Sequence, residues 1–98
     1  MTDQVNTEDY LWIIVDKPQE ATEEETFLGL ADDQGVQFIP ATREKADGEI
    51  LMRMLPSQEN TERSVEAIHR DQLLAQAKDQ GFNVFVVDSQ GKVLQRLT

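Results

Sequence analysis

His69 is the only side chain in the sequence that ordinarily changes charge near neutral pH, since there is no cysteine, and Glu66 and Asp71 stand close to it on either side. A histidine flanked by carboxylates is the minimum from which an acid–base site could be built. Such sites also need a partner group fixed by geometry, and no nucleophile accompanies His69 in a recognisable pattern. At the mouth of a predicted helix its ordinary role is a cap or a surface residue. The second candidate chemistry is hard-metal ligation by Glu23, Glu24, Glu25, Asp32 and Asp33, which could offer carboxylate oxygens. A calcium loop needs acids at alternating positions, a central glycine and a terminal glutamate. Asp32-Asp33-Gln34-Gly35 instead runs straight into Val36-Gln37-Phe38, so a solvated acidic face is the expectation and no metal is assigned. The five glycines are isolated, no phosphate-binding loop can be assembled from them, and no cofactor is expected. Tyr10 and Trp12, two residues apart, share one face of a strand and could form an aromatic platform, although core packing is the usual fate of such residues.

Charge narrows the choice of partner. Nineteen acids against nine bases leave a net charge of −10, and residues 1–33 hold ten of the acids and only Lys17 as a base. A surface of this sign repels phosphate backbones and anionic lipid, which argues against direct nucleic-acid or membrane binding. The absence of cysteine excludes a disulfide framework and thiolate-bound zinc. The first eight residues lack the basic and apolar regions of a secretion signal, and no apolar run reaches membrane-spanning length, so a cytoplasmic location is expected.

The elements that would have to position any site are organised around Tyr10-Leu11-Trp12-Ile13-Ile14-Val15. This uninterrupted apolar, β-branched and aromatic run reads as a strand covered on both faces. Residues 1–8 read as a flexible tail and 9–98 as a single domain. Asp16-Lys17-Pro18 ends the first strand, and an acidic loop from Gln19 to Glu25 follows. Thr26 to Ala31 and Val36 to Ile39 form a hairpin around Asp32-Asp33-Gln34-Gly35, with Gly29 marking a bulge or close backbone approach and Pro40 ending the second arm. A helix over Arg43–Leu55, capped by Thr42, would bury the row Ala46, Ile50 and Met54 beside Leu51 and Leu55, with Gly48 as a flaw that could move its start to Asp47. Arg63 to Ile68 is a weak strand. His69 or Arg70 then opens a helix with Arg70, Leu73, Leu74 and Ala77 on one face, stopped by Gly81. Phe82 to Val87 and Lys92 to Leu97 make a closing hairpin around Asp88-Ser89-Gln90-Gly91, which repeats the Asp-x-Gln-Gly form of residues 32–35. The order β-β-β-α-β-α-β-β predicts an α+β fold. The expected sheet is mixed or mostly antiparallel, with five to six strands, both helices on one face, and the first strand between the 26–39 hairpin and the 82–87 run.

From Gly35 onward the layout resembles the SseB-like proteins and similar small bacterial domains. The features that carry the resemblance are Phe38-Ile39-Pro40, a capped helix from Thr42 to Met54, a weak strand from Arg63 to Ile68, a short helix from Asp71 to Ala77 and an apolar strand from Asn83 to Val87. The chain departs from the pattern at Ala41, where those families show an aromatic residue. The resemblance implies a non-enzymatic accessory or protein-binding domain and transfers no catalytic residue.

The leading expectation is therefore a protein-interaction or regulatory module that binds another protein or a second copy of itself, through Tyr10, Trp12, Glu23, Glu24, Glu25, Asp32 and Asp33. The alternatives are an acidic nucleic-acid mimic occupying the groove of a DNA-binding protein, and a small enzyme using His69. With both helices on one face, the other face of the first strand would be left for a partner.

Overall fold

The computed structural model describes residues 9–18, 25–56 and 61–98; the expected tail and Glu23 and Glu24 lie outside them. The apolar run becomes β1 (Tyr10–Pro18), followed by β2 (Thr26–Phe27), β3 (Leu30–Ala31), β4 (Gln37–Thr42), α1 (Lys45–Met54), β5 (Thr61–His69), α2 (Arg70–Gln80), β6 (Asn83–Val87) and β7 (Val93–Arg96). This is the expected α+β order with the second strand broken into β2 and β3. The break falls at Leu28-Gly29. A Cβ on Gly29 would come within 2.8 Å of the Phe82 ring, so the close approach that the glycine signals is real.

The sheet is mixed. β5 pairs antiparallel along the whole of β1, from Tyr10 opposite His69 to Pro18 opposite Thr61. The other edge of β1 is shared, by β4 at Trp12 and Ile13 and by β2 at Val15 and Asp16. β4 carries β3 at Gln37 and Phe38 and runs parallel to β6, which pairs with β7. The strands thus lie in the order β5-β1-β4-β6-β7, with β2 and β3 filling the wedge where β1 and β4 diverge. Two expectations change. The weak strand is the long neighbour of β1, and the 82–87 run is separated from β1 by β4. The strand expected to stop at Pro40 continues to Thr42, because Pro40 sits where β4 changes neighbours on one edge and a missing N–H is tolerated.

The helices lie on opposite faces, not on one. Leu73 and Ala77 of α2 pack with Leu11, Ile13, Val15, Ile39, Ala41, Val84 and Val86. Leu51 of α1 packs with Ile14, Phe38, Phe85 and Val87 on the other side, where the Phe38 and Phe85 rings stack at 4.8 Å. Alternation along β1, β4 and β6 divides these sets cleanly. The face of β1 that a single-sided arrangement would have left open is covered by α1, and Ile14 is 2% exposed.

α1 begins two residues later than the Arg43 start. Glu44 is its N-cap without a side-chain bond, and the buried Thr42 hydroxyl donates to the Glu44 carbonyl at 2.9 Å instead of capping. The helix is also turned relative to the expected face. Gly48 and Leu51 are buried, whereas Ala46, Ile50 and Met54 point outward, with Ile50 41% and Met54 54% exposed. Gly48 sets this rotation: a Cβ there would lie 3.0 Å from Val65 Cγ1 and 3.1 Å from Thr42 Oγ1. The backbone approaches the sheet where a side chain would hold it off.

At the other helix, His69 is the N-cap and its Nδ1 accepts from the Asp71 N–H at 3.1 Å, while Gly81 closes α2 with φ of 80°. The two Asp-x-Gln-Gly turns are the same device. Asp32 Oδ1 accepts from the N–H groups of Gln34 and Val36, Asp88 Oδ1 accepts from those of Gln90 and Lys92, and Gly35 and Gly91 take positive φ.

Gly48→Ala should recover none of the roughly 1 kcal/mol that alanine ordinarily gains over glycine inside a helix. Gly48→Val should cost about 1–3 kcal/mol through overpacking against Val65 and Thr42, read as a lower denaturant midpoint at unchanged slope.

Candidate functional site

Trp12 lies on the α1 face of β1, whereas Tyr10 at the strand's start also borders the cleft beside α2, so the two form no open platform. The Tyr10 ring meets the His69 imidazole edge-on at 5.3 Å, and the Lys45 ammonium at the start of α1 sits 5.8 Å from the centre of the half-buried Trp12 ring. Tyr10 remains 40% exposed. The aromatic pair is thus the end of the sheet where α1 begins, partly closed by a cation.

His69 borders a cleft of about 360 Å³ between α2 and the β1–β5 pair. Its Nδ1 is committed to capping α2. Among the described residues no serine, threonine or lysine lines that cleft, and the acids there, Glu25 and Glu66, both face Lys17, at 3.8 and 3.0 Å. Ser64 donates to the Glu66 carboxylate as well, at 2.8 Å. The Lys17 ammonium and the Ser64 hydroxyl hold the Glu66 carboxyl below the usual glutamate range, and Glu66 raises Lys17 in return.

The candidate acids do not form one patch among the described residues. Glu25 lies on the α2 face beside Lys17, whereas Asp32 and Asp33 lie on the α1 face. There they border a groove of about 370 Å³ with Leu30, Phe38, Met54 and Val93 among its walls, and the second Asp-x-Gln-Gly turn opposite. Asp32 is half-buried and its Oδ1 holds the turn, while Asp33 is exposed. Val93 is 37% exposed, and Ile50, one turn before Met54, extends the apolar surface outside the groove. Among the described residues no group of three or more metal-ligating side chains occurs, and no helix is long and apolar enough to cross a membrane.

The groove joins residues that sequence reasoning separated. Asp32 and Asp33 are candidates on charge, whereas Met54 is expected in the buried row of the helix and Val93 in the closing hairpin. Gly48 is the available signal, since a glycine inside a helix marks a side packed too closely for a Cβ, here against the Val65 and Thr42 side chains, and so turns the row 46-50-54 outward.

Because Glu66 has a lowered folded value, its contribution to stability is complete above its unfolded value and is lost as pH falls through the folded one. Stability should therefore begin to decline as pH falls below the ordinary glutamate value of about 4.3, and Glu66→Gln should show a shallower acid limb than wild type in urea titrations at stepped pH.

No protein-family model, curated protein or solved structure matches this chain.

Proposed function

We propose that the chain is a non-enzymatic cytoplasmic protein-interaction module, and that it docks its partner in the groove between α1 and the two Asp-x-Gln-Gly turns. The observation that carries this reading is the coincidence of exposed apolar side chains with an acidic rim. Met54 and Val93 stand in solvent beside Asp32 and Asp33, on a chain of net charge −10. Apolar centres with polar rims are the usual anatomy of a binding patch. Charge complementarity gives the partner's chemistry as an apolar segment flanked by lysine or arginine. The resemblance to SseB-like domains supports the same class of role. The acidic nucleic-acid mimic finds less support, because the described candidate acids divide between two faces and Asp32 and Glu25 already have internal partners.

The immobilised chain should capture a specific partner from the lysate of its own source, and the double variant Met54→Glu, Val93→Glu should lose at least about tenfold in affinity, or about 1.4 kcal/mol, without losing thermal stability. Asp32→Asn with Asp33→Asn should slow association and flatten its salt dependence. Capture unaffected by the groove variants, but abolished when Glu23, Glu24, Glu25, Asp32 and Asp33 are neutralised together, would instead assign the mimic. A concentration-dependent dimer in sedimentation that the same groove variants dissociate would make the occupant a second copy.

A further inference from the structure

The two edges of the sheet are built differently. β7 is four residues long, and a register shift at Val86/Val87 interrupts its pairing with β6, as befits a guarded edge. β5 is nine residues long, contains no proline and pairs with β1 without a shift from end to end. Charged side chains can guard such an edge, but two of those on β5 are turned toward β1, Arg63 to Asp16 at 2.7 Å and Glu66 to Lys17 at 3.0 Å. One bond shows which peptide groups face outward. The Leu28 N–H donates to the Ile14 carbonyl at 2.8 Å, so the Ile14 peptide groups point to the β2 side of β1, away from β5. Val65 stands opposite Ile14, and its own N–H and C=O therefore point away from β1. By alternation those of Arg63 and Ala67 do the same, and among the described residues none of the three makes a further backbone hydrogen bond.

We propose that this edge pairs with a second copy of the chain, β5 antiparallel to β5, about a two-fold axis at Val65. Residues opposite each other in a ladder share a face, so a symmetric pair must place some residue opposite its own copy. An axis at Ser64 sets Glu62 against Glu66, and axes at Arg63 or Glu66 set like charges directly opposite, which is destabilising. An axis at Ala67 confines the ladder to residues 65–69. Only the axis at Val65 uses the whole strand and opposes no like charges: Glu62 meets Ile68, Arg63 meets Ala67 and Ser64 meets Glu66. The same register sets the outward peptide groups of Arg63, Val65 and Ala67 against those of Ala67, Val65 and Arg63 in the second copy, as hydrogen-bonded pairs. The edge is independent of the apolar groove, so either can fail without the other.

The test is sedimentation equilibrium of the full chain, with amide exchange of the ¹⁵N-labelled protein at low and high concentration. The mass should rise from 11.2 kDa toward twice that value with a Kd on the order of 10–100 µM, as suits a contact of one ladder. Exchange at Arg63, Val65 and Ala67 should slow by about fivefold or more near 1 mM, while Ser64 and Glu66, already bonded to β1, hold steady. Ala67 is exposed, so its variants should keep a dispersed spectrum. Ala67→Lys, opposite Arg63 of the second copy, should weaken association at least about tenfold, whereas Ala67→Glu should associate at least as tightly as wild type. Met54→Glu with Val93→Glu should leave the dimer intact. The proposal is overturned by a mass that stays at 11.2 kDa near 1 mM, by equal weakening in Ala67→Lys and Ala67→Glu, or by a dimer that the groove variants dissociate and Ala67→Lys does not. Protection of the three amides that appears only when a captured partner protein is added would give the edge to a foreign strand and overturn it as well.

Discussion

Ile13 and Ile14 are adjacent in a strand, so they point to opposite faces of the sheet, and each is only 2% exposed. Burying each such side chain contributes about 1.5–3 kcal/mol, and both contributions are available only if both faces of β1 are covered. This constraint disposes the rest of the molecule. The chain leaves β4, crosses one face of β1 as α1, adds β5 to the far edge, and returns over the other face as α2 to lay β6 beside β4. A helix on each side covers Ile13, Ile14 and Val15 and leaves Tyr10 and Trp12 at one end of β1, and Asp16 and Lys17 toward the other, partly accessible.

Two short helices cannot cover a sheet of this width completely, and where they fall short determines where chemistry is possible. α1 is drawn against Val65 and Thr42 through Gly48, which buries Leu51 but turns Ile50 and Met54 outward, Met54 beside Val93 of β7. On the other face, α2 packs Leu73 and Ala77 over β1, β4 and β6, and its first residue, Arg70, overhangs the carboxyl ends of the parallel pair. The two openings differ in character because different strands border them. The Asp-x-Gln-Gly turns rim the first with carboxylate, and the residue after β4 supplies an arginine to the second.

Much of this was legible in the sequence because local chemistry determined it. The two turns are written in Asp, Gln and Gly at fixed spacing, and the structure repeats the same Asp Oδ1 bonds in both. Gly81 and His69 bracket α2 for reasons that need no tertiary partner. What was not legible depends on contacts between distant residues. Thr42 looks like a cap, but its place in β4 beside Trp12 buries it. The rows 46-50-54 and 51-55 are equally apolar, and only the approach to Val65 decides which one faces inward. The strand 61–69 alternates poorly because it mixes half-buried polar and apolar residues. Its length follows from pairing with β1, where Arg63 binds Asp16 at 2.7 Å and also donates to the Pro56 carbonyl.

The distribution of charge separates the two candidate surfaces in their response to salt. With a net charge of −10, the long-range field attracts a basic partner toward the groove and opposes the approach of a second copy to the β5 edge. Salt at about 0.15 M confines such fields to roughly 8 Å, while hydrogen bonds between uncharged peptide groups act at contact. Added salt therefore removes steering from the groove and removes repulsion from the edge, so the first weakens under conditions that favour the second.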